Sequence, residues 1–99
     1  MEIGNAYTYW IALDADEMRI MKAALDVYMG QDEDDIAPSP WADACEAYDI
    51  LNSGSDEYHE NELEAMKYAL EYAMEIGNIS GGDIKRAVEM ITTLAHYAK

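Results

Sequence analysis

Basic residues are scarce in this chain: six Lys and Arg stand against 21 Asp and Glu, for a formal net charge of -15. That balance disfavours direct binding to nucleic acid or to an anionic membrane, since both are themselves polyanions. There is one cysteine, Cys45, so no disulfide can form within the chain. The composition fits a reducing compartment. No apolar run approaches the ~20 residues of a membrane span. The opening Met1-Glu2-Ile3-Gly4-Asn5 has no basic n-region and no signal-peptide pattern, so the expected location is the cytoplasm.

Catalytic signatures are lacking too. Ser80-Gly81-Gly82 opens a helix but has neither the Lys nor the spacing of a phosphate-binding loop, and no nucleophile elbow occurs. An EF-hand loop needs Gly at its sixth position and Glu at its twelfth. Counting from Asp32 puts Asp43 at the twelfth, and counting from Ser53 puts Tyr58 at the sixth. A zinc site needs three or four ligands, and no Cys/His spacing supplies them. His59 has Asp56 and Glu62 a helical turn away on either side, which makes a carboxylate–His cluster conceivable. His96, near the end of the last helix, suits the dipole there. Cys45 reads as an inert core thiol. No enzyme activity, cofactor or metal site is expected.

What is present is a chain of 99 residues, 51% of them apolar. That is enough for one hydrophobic core and one domain, 1–99, and argues against disorder despite the charge. The expected fold class is mainly α, with four helices preceded by a short β-strand or hairpin. Tyr7 to Leu13 is aromatic and β-branched like a strand, with Tyr7, Tyr9, Ile11 and Leu13 on one face. Gly4-Asn5 offers a turn back onto Glu2 and Ile3. Alternatively the strand pairs with a short irregular segment, with a second copy of the chain or with a partner's sheet edge, or the stretch is an extended arm over the helices or an extra first helix turn.

Helix signals punctuate the rest. Asp14 and Glu17 form a capping box, Leu13 and Met18 a hydrophobic staple, and Met18, Met21, Leu25 and Tyr28 an apolar stripe, predicting a helix over 15–29 closed by Gly30. Ser39 and Pro40 read as N-cap and first helical residue of a second helix. Trp41, Ala44, Cys45, Tyr48 and Leu51 point inward in it, Asp43, Glu46 and Asp49 point away, and Asn52-Ser53-Gly54 ends it. A third helix is predicted over 56–76, with Leu63, Met66, Leu70, Ala73 and Met74 buried and Gly77-Asn78 as its stop. In the last helix Ser80 and Asp83 cap the start and Ile79 and Ile84 form a staple. Ile84, Ala87, Val88, Ile91, Leu94, Ala95 and Ala98 are expected to be buried there. Met29 and Met90 sit at stripe edges, where they are candidates for an adaptable interface.

The acids are not evenly spread. From Ala23 to Met66 the chain has 13 Asp and Glu and no Lys or Arg. Asp32, Glu33, Asp34 and Asp35 run consecutively in a loop. At ~100° per residue, Glu57, Glu60, Glu64, Glu71 and Glu75 fall within an arc of about 60° on the third helix, a line about 27 Å long. Tyr68 interrupts it and Tyr72 adds amphipathic contact area. A solvated helix face also carries Glu, but it normally interleaves Lys four residues on. Here only Lys67 interrupts, near the edge of the face. Carboxylates along a stiff rod can imitate a phosphate array and compete for a basic groove.

These acids, interleaved with Tyr58, Tyr68 and Tyr72, and the strand–capped-helix opening from Tyr7 to Tyr28 resemble the small acidic inhibitors encoded by phages and mobile elements, including DNA-mimic anti-CRISPR and anti-restriction proteins. The similarity is one of composition and layout. It implies a stoichiometric inhibitor in the host cytoplasm. Its partner would be a basic nucleic-acid-binding protein or complex of host defence, contacted through Asp32, Glu33, Asp34, Asp35, Glu57, Glu60, Glu64, Tyr68, Glu71, Tyr72 and Glu75. The alternative is a structural or regulatory interaction module, homodimeric or strand-pairing, in which the charge serves solubility.

Overall fold

A computed structural model describes residues 1–31, 38–54 and 57–98, with backbone alone at 38–40. The predicted class holds: an antiparallel hairpin of β1 (Glu2–Asn5) and β2 (Tyr9–Ala12) precedes α1 (Ala15–Met29), α2 (Pro38–Ser53), α3 (Glu60–Glu75) and α4 (Gly81–Tyr97). The acidic run Asp32, Glu33, Asp34 and Asp35 lies outside the described residues.

In the hairpin Ile3 pairs with Ile11 and Gly4 with Trp10. Gly4 and Asn5 are strand residues, not the turn. The chain reverses at 6–8, leaving Tyr7 fully exposed at the tip. The apolar alternation decides this, since the observed register places both Ile3 and Ile11 in the core. Gly4 is needed where it stands because the Trp10 indole lies across it. A Cβ there would come within 2.0 Å of the ring.

The first helix matches its prediction. Asp14 Oδ1 accepts the Glu17 N–H at 2.8 Å and Glu17 Oε1 accepts the Asp14 N–H at 3.1 Å. Glu17 is buried, and its other oxygen takes the Met1 amino group. Gly30 ends the helix in a right-handed conformation, at φ -75°, with its N–H shared between Asp26 O and Val27 O. The left-handed stop expected of it is instead used at Gly54 and Gly77. Gly77 N–H reaches Met74 O and Asn78 N–H reaches Ala73 O, which closes the last carbonyls of α3.

Two helix starts differ from expectation. Pro38, not Pro40, is the first residue of α2. Both prolines fall in the first turn, where no intrahelical N–H is required. The third helix begins at Glu60, not at 56. Tyr58 is held out of it by an isolated bridge to Tyr9, with Tyr9 N–H to Tyr58 O at 2.8 Å and Tyr58 N–H to Tyr9 O at 2.9 Å. Tyr58 is buried, at 2% exposure.

The third helix touches all three others and is the centre of the bundle. Leu63, Ala65, Met66, Ala69, Leu70 and Ala73 are buried along it. The fourth helix is turned by roughly 60° from the face expected, at ~100° per residue. Ala87, Met90, Leu94 and Ala98 are buried, whereas Ile84 and Val88 are 43% and 44% exposed and Ala95 is exposed as well. Met90 is therefore core, not interface. Two ion pairs lie on the side that turned inward: Arg19 bridges to Asp83, at 3.0 and 3.1 Å, and Arg86 reaches Asp14 at 2.6 Å. They tie α4 to the α1 end of the fold on its Asp83–Arg86–Met90 side. Among the described residues no helix is long and apolar enough to cross a membrane.

Replacing Gly4 with Ala is expected to cost about 1–3 kcal/mol, because the indole must leave its seat. Gly82→Ala, where a Cβ meets nothing within 4 Å, is expected to stabilise by about 0.4–1 kcal/mol. Urea unfolding of both variants checks the contrast.

Candidate acidic interface

Every helix buries one face against α3 or beside it, so the narrow outer stripe of α3 is what reaches solvent. On it lie Glu60, Glu71 and Glu75, exposed, Glu64, half-buried, and Tyr68, 38% exposed. The predicted ridge is thus assembled over about 22 Å, taking ~1.5 Å per residue. Glu57 is exposed but lies outside the helix, next to the Tyr58 bridge, and so leaves the helical line. Tyr72 is half-buried and leans inward, its ring edge-on to Tyr28 at 6.0 Å. Tyr58, grouped with these tyrosines by sequence, faces the core.

The middle of the stripe is fixed by its own side chains. Tyr68 Oη donates to Glu64 Oε1 at 2.9 Å. Lys67 Nζ lies 4.6 Å from the centre of the Tyr68 ring and 3.4 Å from Glu71 Oε1. The phenol is pushed above its ordinary value, first by the bond to Glu64 and then by the charges of Glu64 and Glu71. Glu60/Glu64 and Glu71/Glu75 remain like-charged neighbours at i,i+4.

Charge segregation has a structural cause. Arg19 and Arg86 are engaged with Asp83 and Asp14 between α1 and α4, and both carboxylates are held below the usual range. For Asp14 the first cause is the Glu17 backbone N–H, and for Asp83 the Arg19 guanidinium. On α3 itself Lys67 is the cation beside the ridge, next to Tyr68 and Glu71.

A second grouping was not anticipated. Asp43 and Glu46 of α2, called outward-facing from their spacing, come together with buried Glu62 of α3, their carboxylate oxygens within 4.8 Å of one another. Asp43 and Glu46 are a turn apart, but nothing in the sequence signals their approach to Glu62 across two helices. Glu62 Oε1 accepts the His59 backbone N–H at 3.2 Å and lies 3.0 Å from His59 Nδ1. Carboxylates alone do not define a metal site, and none is assigned. Asp56, expected beside His59, lies outside the described residues.

The groove between α1 and the start of α4, about 160 Å³, is lined by Arg19, Ile20, Ala24, Asn78, Ile79 and Asp83, and its charged groups are paired with each other. Burial, followed by the charge of Asp49, pushes the Cys45 thiol up, away from nucleophilic use.

No protein-family model, curated protein or solved structure matches the chain.

A stripe of carboxylates ending at a helix C-terminus strains the fold slightly. Glu75→Gln removes a like charge next to Glu71 and at the negative end of the dipole, and is expected to stabilise by about 0.3–1 kcal/mol at low salt. Thermal unfolding in 1 M salt should shrink the gain.

Proposed function

We propose that the protein is a stoichiometric inhibitor. It binds the basic nucleic-acid-binding surface of a host defence complex through an acidic face that imitates nucleic acid. The observation that carries this reading is the outer stripe of α3. Glu60, Glu64, Glu71 and Glu75 share one solvent-facing line, and Lys67 is its one interleaved cation. Like charges held four residues apart work against the helix, so the arrangement calls for a compensating use. Tyr68, tethered to Glu64 and covered by Lys67, is a rigid amphipathic group in the middle of the line, as interfaces favour. Asp32, Glu33, Asp34 and Asp35, which precede α2 in the sequence, add to the acidic charge. Binding would be of basic groove to acidic ridge, driven by charge, fast and salt-sensitive. The inhibitor would act in the cytoplasm of the host.

A second reading is an interaction module that docks through apolar surface. It is favoured by Trp10, Ile84 and Val88, which are 42%, 43% and 44% exposed. The strand-pairing form of that reading is weakened at Tyr9, whose outer edge Tyr58 occupies.

Plating of phage on restriction- or CRISPR-proficient bacteria that express the protein separates the two. Glu60, Glu64, Glu71 and Glu75 changed together to Lys should abolish protection of the phage while helicity is retained. Val88→Lys should leave protection intact. Retained protection in the charge-reversed protein, together with loss in Val88→Lys, would contradict the mimic and favour the module.

A further inference from the structure

His59 stands where three elements meet. It follows Tyr58, whose backbone pairs with Tyr9 of β2, and it caps α3 in an extended conformation. Its ring Nδ1 and its backbone N–H converge on one oxygen of Glu62, at 3.0 and 3.2 Å. Glu62 is 3% exposed, and its carboxylate gathers with those of Asp43 and Glu46 from α2. From Ala23 to Met66 the chain has no Lys or Arg, so His59 is the one side chain of that stretch able to carry positive charge. Carboxylates gathered in this way favour a positive charge nearby, and the fold places the imidazole, its side chain 65% exposed, against the most buried of them.

We propose that His59 is a pH-sensitive clasp. Protonated, it supplies the counter-charge that holds the Asp43–Glu46 side of α2 to the start of α3; neutral, it loosens that junction. Among the described residues the charged groups around it are Glu62 and its sequence neighbour Glu60 from α3, Glu46 from α2 with Asp43 grouped beside it, and Glu57 from the preceding segment, all acidic. The positive end of the α3 dipole opposes the imidazolium, and the carboxylates outweigh it. The Glu62 hydrogen bond, then the charges of Glu62, Glu46 and Glu57, raise the imidazole above its ordinary 6.5, against partial desolvation. A folded value raised above the unfolded one gives stability that is complete below about 6.5 and lost as pH rises through the raised value. The neutral ring can still donate from Nδ1, but without charge assistance that bond is weaker. The clasp concerns the fold itself and stands whether or not the ridge imitates nucleic acid.

The test combines NMR titration of the His59 ring with thermal unfolding from pH 5.5 to 8.5, on the wild type and on His59→Gln, His96→Gln and Glu46→Gln. The His59 midpoint should lie above 6.5 and move down in Glu46→Gln. The wild-type Tm should fall by a few degrees across the window. His96→Gln should keep that fall and His59→Gln should lose it. A midpoint at or below 6.5, a midpoint indifferent to Glu46→Gln, or a His59→Gln Tm with the wild-type pH dependence would each overturn the clasp. Should His59→Gln fail to fold, the midpoint shift in Glu46→Gln decides alone.

Discussion

Two backbone hydrogen bonds between Tyr9 and Tyr58 determine where α3 begins, and α3 is the element on which the other three helices pack. Without that bridge the amphipathic pattern would carry the helix back through 57–59. Glu57 would then extend the ridge, and Tyr58, a large side chain at 2% exposure, would leave the core. The bridge also turns a two-stranded hairpin, marginal alone, into a three-segment patch resting on the bundle. Tyr9 packs edge-on to Tyr97 at 5.9 Å, which ties the same patch to the end of α4.

The second constraint is charge. A chain of net -15 has few cations to distribute, and the fold uses them where helices must be oriented. Arg19 and Arg86 connect α4 to α1 and to the cap of α1. That use turns Met90 inward and leaves Ile84 and Val88 in solvent. It also removes from the other side of the molecule the groups that would neutralise the α3 stripe. One allocation of basic residues orients the bundle and leaves the ridge acidic.

Local signals were legible in the sequence wherever the physics is local. The Asp14–Glu17 box, the 15–29 span, the Gly54 and Gly77 stops and the Leu63–Ala73 stripe all follow from neighbours within a turn. The ridge Glu60, Glu64, Tyr68, Glu71 and Glu75 follows from helical spacing. Failures came where distant groups decide. The start of α3 depends on Tyr9, far along the chain. The cap at its start was missed because His59 occupies the position usually held by Ser, Thr, Asp or Asn, while Glu62 still reaches back to its N–H. The rotation of α4 depends on Asp14 and Arg19: of its seven aliphatic and alanine positions, Ala87, Leu94 and Ala98 are buried, while Ile84, Val88 and Ala95 are exposed. Gly4 looked like a turn residue, but it is glycine because Trp10 covers it. The Asp43–Glu46–Glu62 grouping joins two helices and has no sequence signature.

The central claim is that the α3 stripe is recognised by a surface built for nucleic acid. Its most direct test is capture of partners by the immobilised protein from a defence-competent bacterial lysate over a salt series, with bound proteins identified. The account predicts retention of a nucleic-acid-binding complex that is lost at high salt and displaced by added DNA or RNA. Retention of a single partner that binds no nucleic acid and resists salt would contradict it.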